Sequence, residues 1–177
     1  MPINNFSSIG GYAVGSTEVL NTANALKNIS AMHMVSDQFT DANKDVYIMK
    51  RQTDAANNTQ QLTLDGSTAL ATNSAQLAND TVSFITARIF GQETTSNTYV
   101  YASQFEVIVT TNGSGVPTVA SSYENVIRSN PPGQESWTVT PDPFQIGAAP
   151  FFTFEVESVT TTSTVKWVGV LEITVVS

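Results

Sequence analysis

From Val46 onward, apolar residues recur at every second position, and nothing else in the sequence limits the fold as much. Tyr99, Tyr101, Phe105, Val107 and Val109 fall on one side of an extended segment, with Gln104 and Glu106 on the other. That is the period of a strand with one face on a core and one in water. Val165, Trp167, Gly169, Leu171, Ile173 and Val175 repeat the pattern in the last segment. Between Val82 and Phe90 both sides carry large apolar groups, which predicts a strand in the middle of a sheet. Val46–Arg51, Gln61–Leu64, Ser136–Val139 and the run through Phe152, Phe154 and Val156 add further strands, with Thr153, Glu155 and Glu157 outward in the last of these. Tyr123–Arg128 reads as an edge strand. Turn chemistry separates these runs: Asp65-Gly66, Asn112-Gly113-Ser114-Gly115 and Asn130-Pro131-Pro132-Gly133, with Pro141 and Pro143 expected to end the Trp137 strand. About eight or nine strands with short connections predict an all-β fold, an antiparallel β-sandwich of jelly-roll-like type. A closed barrel is the alternative. Trp137, Trp167, Phe105 and Phe154 are the expected core or interface anchors.

Composition agrees with strands. The chain has 177 residues, of which 41% are hydrophobic and only 12% charged. Thr, Ser, Asn and Gln stand in for the missing charge, and Thr fits a pleated, half-wet surface. A chain this long buries roughly 70% of its unfolded surface, enough for a core without staples. There is no Cys, which excludes disulfides and thiolate chemistry and removes most zinc sites. The net charge of −8, with scattered Lys and Arg, argues against nucleic acid and against anionic membrane. No apolar run reaches the length of a membrane span, and Met1-Pro2-Ile3-Asn4-Asn5 lacks the start of an export signal.

The first 45 residues read differently. Large apolar residues are isolated among Asn, Ser, Ala and Gly, and Val19, Leu20, Ala23 and Leu26 suggest a short helix. Residues 1–45 are expected to form an extended N-terminal arm ordered by packing on something else, with 46–177 as the sandwich domain.

Tests for chemistry return little, and no catalytic, cofactor-binding or metal-ligating residue is expected. The one His, His33, sits between two Met residues in the arm, with no nucleophile elbow in the chain to serve. Asp41, Asn43 and Asp45 have the opening spacing of a calcium loop, but Val46 replaces the turn glycine and Gln52 the bidentate acid, which leaves a polar hinge as the expectation. Gly10 to Gly15 has the glycine spacing of a phosphate loop, but Ser16 stands where Lys is needed. Glu155 and Glu157 share a strand face, with Glu106 on a neighbouring strand, and paired carboxylates can hydrolyse glycosides. The signal has almost no specificity, because an outward strand face is where such residues belong anyway. Tyr12, Tyr47, Tyr123 and Phe144 are candidates for stacking on sugars, and each fits a core or subunit interface at least as well.

The order of several short motifs carries a resemblance. Ile48-Met49-Lys50-Arg51-Gln52-Thr53-Asp54 followed by Gln61-Leu62-Thr63-Leu64-Asp65-Gly66 resembles the opening of a β-module found in tailed-phage fibre and appendage proteins. There a strand ending Arg-x-Thr-Thr-Asp precedes a Leu-Thr-x-Asp-Gly turn. Asn79-Asp80-Thr81 before a strand, Ile85-Thr86-Ala87-Arg88 within it, the Trp137 strand and the closing Lys166-Trp167-Val168-Gly169 are similar in turn. Gly91 to Thr95 departs from the family's Arg-Arg-Thr-Asp, and the loop before Trp137 is Pro-rich. The resemblance covers Val46–Ser177. It implies a virion structural protein, from a tail, fibre or head decoration, that is not an enzyme and needs no cofactor. Its implied partners are copies of itself, as a trimer or higher assembly, and neighbouring virion proteins reached through residues 1–45. Assembly would take place in the host cytoplasm. The alternative is a receptor module at a fibre tip that binds host surface glycan.

Overall fold

A computed structural model describes residues 12–14, 17–20, 30–36, 39–159 and 163–176. The chain divides into two compact units, Met1–Ser30 and Ala31–Ser177. In the first, strands β1 (Tyr12–Val14) and β2 (Thr17–Leu20) pair antiparallel, with Val14 opposite Thr17. The helix expected around Val19–Leu26 is corrected at its start, since Val19 and Leu20 are extended in β2. Ala23 and Leu26 lie outside the described residues, as do Gly10, Gly11 and Gly15.

The second unit contains β3 (Ala31–Ser36), β4 (Phe39–Thr53), β5 (Thr59–Gln61), β6 (Ala75–Gln76) and β7 (Thr81–Glu93), then β8 (Val100–Thr111), β9 (Pro117–Asn130), β10 (Ser136–Ile146), β11 (Ala149–Val159) and β12 (Val165–Val176). They form an antiparallel sandwich. One sheet has six strands in the order β3-β4-β12-β7-β8-β9, and the other has four, β10-β11-β5 with β6 also on β11. As the sequence suggests, β7 is central, between β12 and β8, and β9 is an edge. Register shifts at Ala102/Ser103 and Ile108/Val109 place bulges in the β8–β9 ladder, which raise the local twist.

Residues 31–36 and 39–45, expected within the arm, belong to β3 and the first half of β4. Their apolar residues, Ala31, Met32, Met34, Val35, Phe39 and Ala42, follow no sustained alternation, so the pattern that marks later strands is faint here. Backbone pairing on β12 still holds β4 extended from Ala42 to Thr53. Asp41, Asn43 and Asp45 are therefore strand residues, and the polar hinge expected there is absent. The expected end of β10 at Pro141 is also corrected, because the strand runs through Pro141 and Pro143 to Ile146. β10 is the edge of its sheet, where proline's missing N–H leaves no ladder bond unmade.

Alternation becomes burial. Along β7 the pattern is buried at Ile85, Ala87 and Ile89 and exposed at Phe84, Arg88 and Phe90. Between the sheets, Phe105 of one meets Phe154 of the other at 4.8 Å, and Trp167 takes Tyr101 and Trp137 edge-on at 5.7 and 5.9 Å. Trp137, Trp167, Phe105 and Phe154 are all 3% exposed or less. Burying a side chain of this size contributes about 2–3 kcal/mol. Two details fix the Trp167 ring. It lies across Gly91, where an added Cβ would stand 2.6 Å from it, and its Nε1–H donates to Thr53 Oγ1 at 2.9 Å. Ser158 Oγ reaches the same Thr53 oxygen at 2.9 Å, which ties β11 to β4 and β12. Thr153, expected outward, is fully buried with its hydroxyl donating to Leu62 O at 2.5 Å.

Candidate interaction surfaces

Directly opposed residues in antiparallel strands share a face, so the register maps the outer side of the six-stranded sheet. One row crosses it as Lys50, Val168, Phe90, Ala102 and Arg128. The next is Ile48, Val170, Arg88, Gln104 and Asn125, followed by Met32, Val46, Glu172, Thr86, Glu106 and Tyr123. Large apolar groups stand in water throughout, including Phe84 at 44%, Phe90 at 43% and Val168 at 43% exposure. A shallow depression of about 270 Å³ lies among Phe90, Ala102, Ile127, Val168 and Val170. A neighbouring one of about 380 Å³ is lined by Arg88, Gln104, Glu106 and Glu172. Lys44 pairs with Glu172 at 2.5 Å, and that cation holds the Glu172 carboxyl below its usual range.

The four-stranded sheet has the opposite character. β5, β6, β10 and β11 contain no Lys or Arg. Glu155 stands opposite Thr140 and Gln61, and Glu157 opposite Thr138 and Thr59. Gln61 Nε2 donates to Asp142 at 2.6 Å, and Thr59 Oγ1 to Glu157 at 3.1 Å. Partial desolvation raises the Glu155 pKa, with the Asp142 and Glu157 charges adding to it. Arg51 reaches the rim of this region, but its guanidinium is bound to Gln60 Oε1 and Gly66 O.

The candidate chemistry is dispersed. Glu106 is on the outer face of the six-stranded sheet, across the sandwich from Glu155 and Glu157, so the three carboxylates do not converge. His33 Nδ1 bonds Asp45 between β3 and β4. Among the described residues no cluster of His, Asp and Glu has the form of a metal site, and no helix is long and apolar enough to cross a membrane. The Leu62–Gly66 motif is a structural knot. Asp65 Oδ1 accepts from Ser67 N at 2.9 Å, Ser67 Oγ at 2.8 Å and Asn73 Nδ2 at 2.9 Å. These donors, the Ser67 backbone first, hold its carboxyl at about 2.

Sequence reasoning missed the gathering of cations on one face. The signal was available in part: Lys50, Arg88 and Lys166 each share parity with the outward residues of their strands. Only the register brings the strands' outward positions into one field.

No family model matches the chain, and no curated protein matches it. Among solved structures it is similar to the tailspike protein gp49 of Acinetobacter baumannii bacteriophage Fri1, a capsular polysaccharide depolymerase, with a TM-score of 0.44 at 15% identity. That match covers 85% of this chain and 20% of the other. It is also similar to the Acinetobacter baumannii phage AM24 tailspike protein, with a TM-score of 0.34 at 11% identity, over 76% of this chain and 26% of that one. The chain thus spans about a fifth to a quarter of these proteins.

Proposed function

We propose that the chain is a non-enzymatic structural module of a tailed-phage virion appendage, working through contacts with other protein subunits, including its own copies in a trimer or higher assembly. The observation that carries this reading is the outer face of the six-stranded sheet, where Phe84, Phe90, Ile108, Val168 and Val170 stand exposed. Monomeric proteins seldom leave a contiguous apolar patch beyond a few hundred Å² in water, and larger ones mark interaction sites. The ordered motifs from Val46 to Ser177 that resemble phage appendage modules support the same reading. Residues 1–30, the part of the expected 1–45 arm outside the sandwich unit, would then supply attachment to a neighbouring virion protein.

The glycan-binding alternative has less to rest on. Residues 92–98 and 112–116 contain no aromatic side chain, and Phe144 is stacked on Phe151 at 5.7 Å.

The test is sedimentation of the purified chain. It should assemble, and the pair Phe90→Ser with Val168→Thr should weaken assembly at least ~10-fold while changing stability to urea by no more than ~0.5 kcal/mol, as exposed sites do. A chain that stays monomeric at high concentration would defeat the structural reading. Cleavage of host surface polysaccharide that is lost in Glu155→Gln would defeat its non-enzymatic part.

A further inference from the structure

The two outer faces of the sandwich differ in charge, and the difference is complementary. Five of the chain's seven Lys and Arg residues, Lys44, Lys50, Arg88, Arg128 and Lys166, hold outward positions on the six-stranded sheet. Among the described residues only Glu106 and Glu172 oppose them there, in a chain whose net charge is −8. The other sheet's outward positions carry Asp142, Glu155 and Glu157 and no cation. Among the described residues none of these three carboxylates belongs to an ion pair.

The six-stranded face is the larger of the two. Six strands at ~4.8 Å spacing, most about a dozen residues long at ~3.3 Å each, present roughly 1,000 Å². The four-stranded face is smaller, since only β10 and β11 run 11 residues. Its roughly 400 Å² sets the contact at the low end of interface size, below the about 800 Å² a standard partner contributes, so charge must carry its specificity. A two-fold contact of the six-stranded face with itself would bring together two faces that each carry five cations against two carboxylates, and such like-charge juxtaposition opposes association. The carboxylate-bearing face meets the same surface without that penalty.

We propose that the six-stranded face of one copy binds the four-stranded face of a second copy, with Arg88 and its neighbouring cations set against Glu155, Glu157 and Asp142. This rests on the structural-subunit reading and names its contact. The interface is heterologous, since each copy uses two different surfaces. The two surfaces lie on opposite sides of one sandwich, so the contact repeats as an open stack, which takes the higher-assembly branch of that reading and excludes a closed trimer.

Charge reversal tests the arrangement on the full chain, with circular dichroism to establish that each variant folds. Arg88→Glu should lower self-association at least ~10-fold, and so should Glu155→Lys combined with Glu157→Lys. An equimolar mixture of the two variants should recover association, because each still offers one unaltered face that matches an unaltered face of the other. Wild-type association should also weaken as ionic strength rises to about 0.5 M, where surface charges are screened. If the chain assembles and Phe90→Ser with Val168→Thr disrupts it while Glu155→Lys with Glu157→Lys does not, this inference falls and the structural reading stands. A mixture that stays dissociated sinks it too. Polyglutamate capture by the Arg88 face of a chain that never self-associates would overturn both.

Discussion

Thr53 does more than its place in a polar turn-proximal sequence suggests. Its hydroxyl oxygen receives the Trp167 indole N–H and lies 2.9 Å from Ser158 Oγ, all three residues being buried. Thr53→Val keeps the shape and removes the partner of both groups. An unsatisfied buried donor costs about 1–3 kcal/mol, and two share this one acceptor. We expect Thr53→Val to lower stability by about 2–3 kcal/mol in urea titrations followed by Trp fluorescence, with little change for Thr138→Val on the exposed side of β10. The anchoring aromatics were legible in the sequence, because Trp137, Trp167, Phe105 and Phe154 occupy inward parity. Their polar supports were not. Nothing in the spacing of Thr53 and Trp167 announces a hydrogen bond, because it depends on the β4–β12 register.

At the scale of elements, strand existence was readable wherever a periodic apolar row ran through it, as in β7, β8, β11 and β12. It failed where pairing alone holds the strand, in β3, early β4 and the proline-bearing half of β10. Turns were readable as punctuation, but not their contacts. The Asn112–Val116 turn packs on the β10–β11 hairpin, whose two-residue loop begins at Gly147 with φ 65°. That places glycine where a II′ turn needs it. Gly115, at φ 75°, comes so near the hairpin that an added Cβ would stand 2.2 Å from Ala148 O. Gly133, at φ 58°, has nothing within 4 Å of such a Cβ. The two positions separate backbone strain from collision. Gly133→Ala should cost about 1–2 kcal/mol, the penalty of left-handed backbone, and Gly115→Ala about 2–4 kcal/mol with overpacking added. Urea midpoints of the two variants measure the difference.

At the scale of the whole molecule, stability should be lost at both ends of the pH range, for opposite reasons. Burial raises the Tyr47 phenol to about 12, with Asp45 adding, and burial with the Glu124 contact raises Tyr101 further. A group whose folded pKa is raised lends its full stability below the unfolded value, about 10 for Tyr, and loses it as pH climbs beyond. Asp65 runs the other way: its contribution is complete above about 4 and is lost as pH falls toward 2. Urea midpoints should therefore drop between pH 10 and about 12, less steeply in Tyr47→Phe, and again below pH 4, less steeply in Asp65→Asn. The sandwich itself was legible from strand number and turn spacing. Its charge segregation was not, since it is a property of five registers together. The place of β12 between β4 and β7 has a kinetic consequence. β12 follows all the other described strands in the chain, yet Val175 pairs with both Asn43 and Ser83. Until residues 165–176 leave the ribosome, β4 and β7 have no shared neighbour and each keeps an open edge. The β3-β4 and β7-β8-β9 parts of the six-stranded sheet can join only through this strand, which makes their union slow, on the millisecond-to-second scale of domains dominated by long-range pairing.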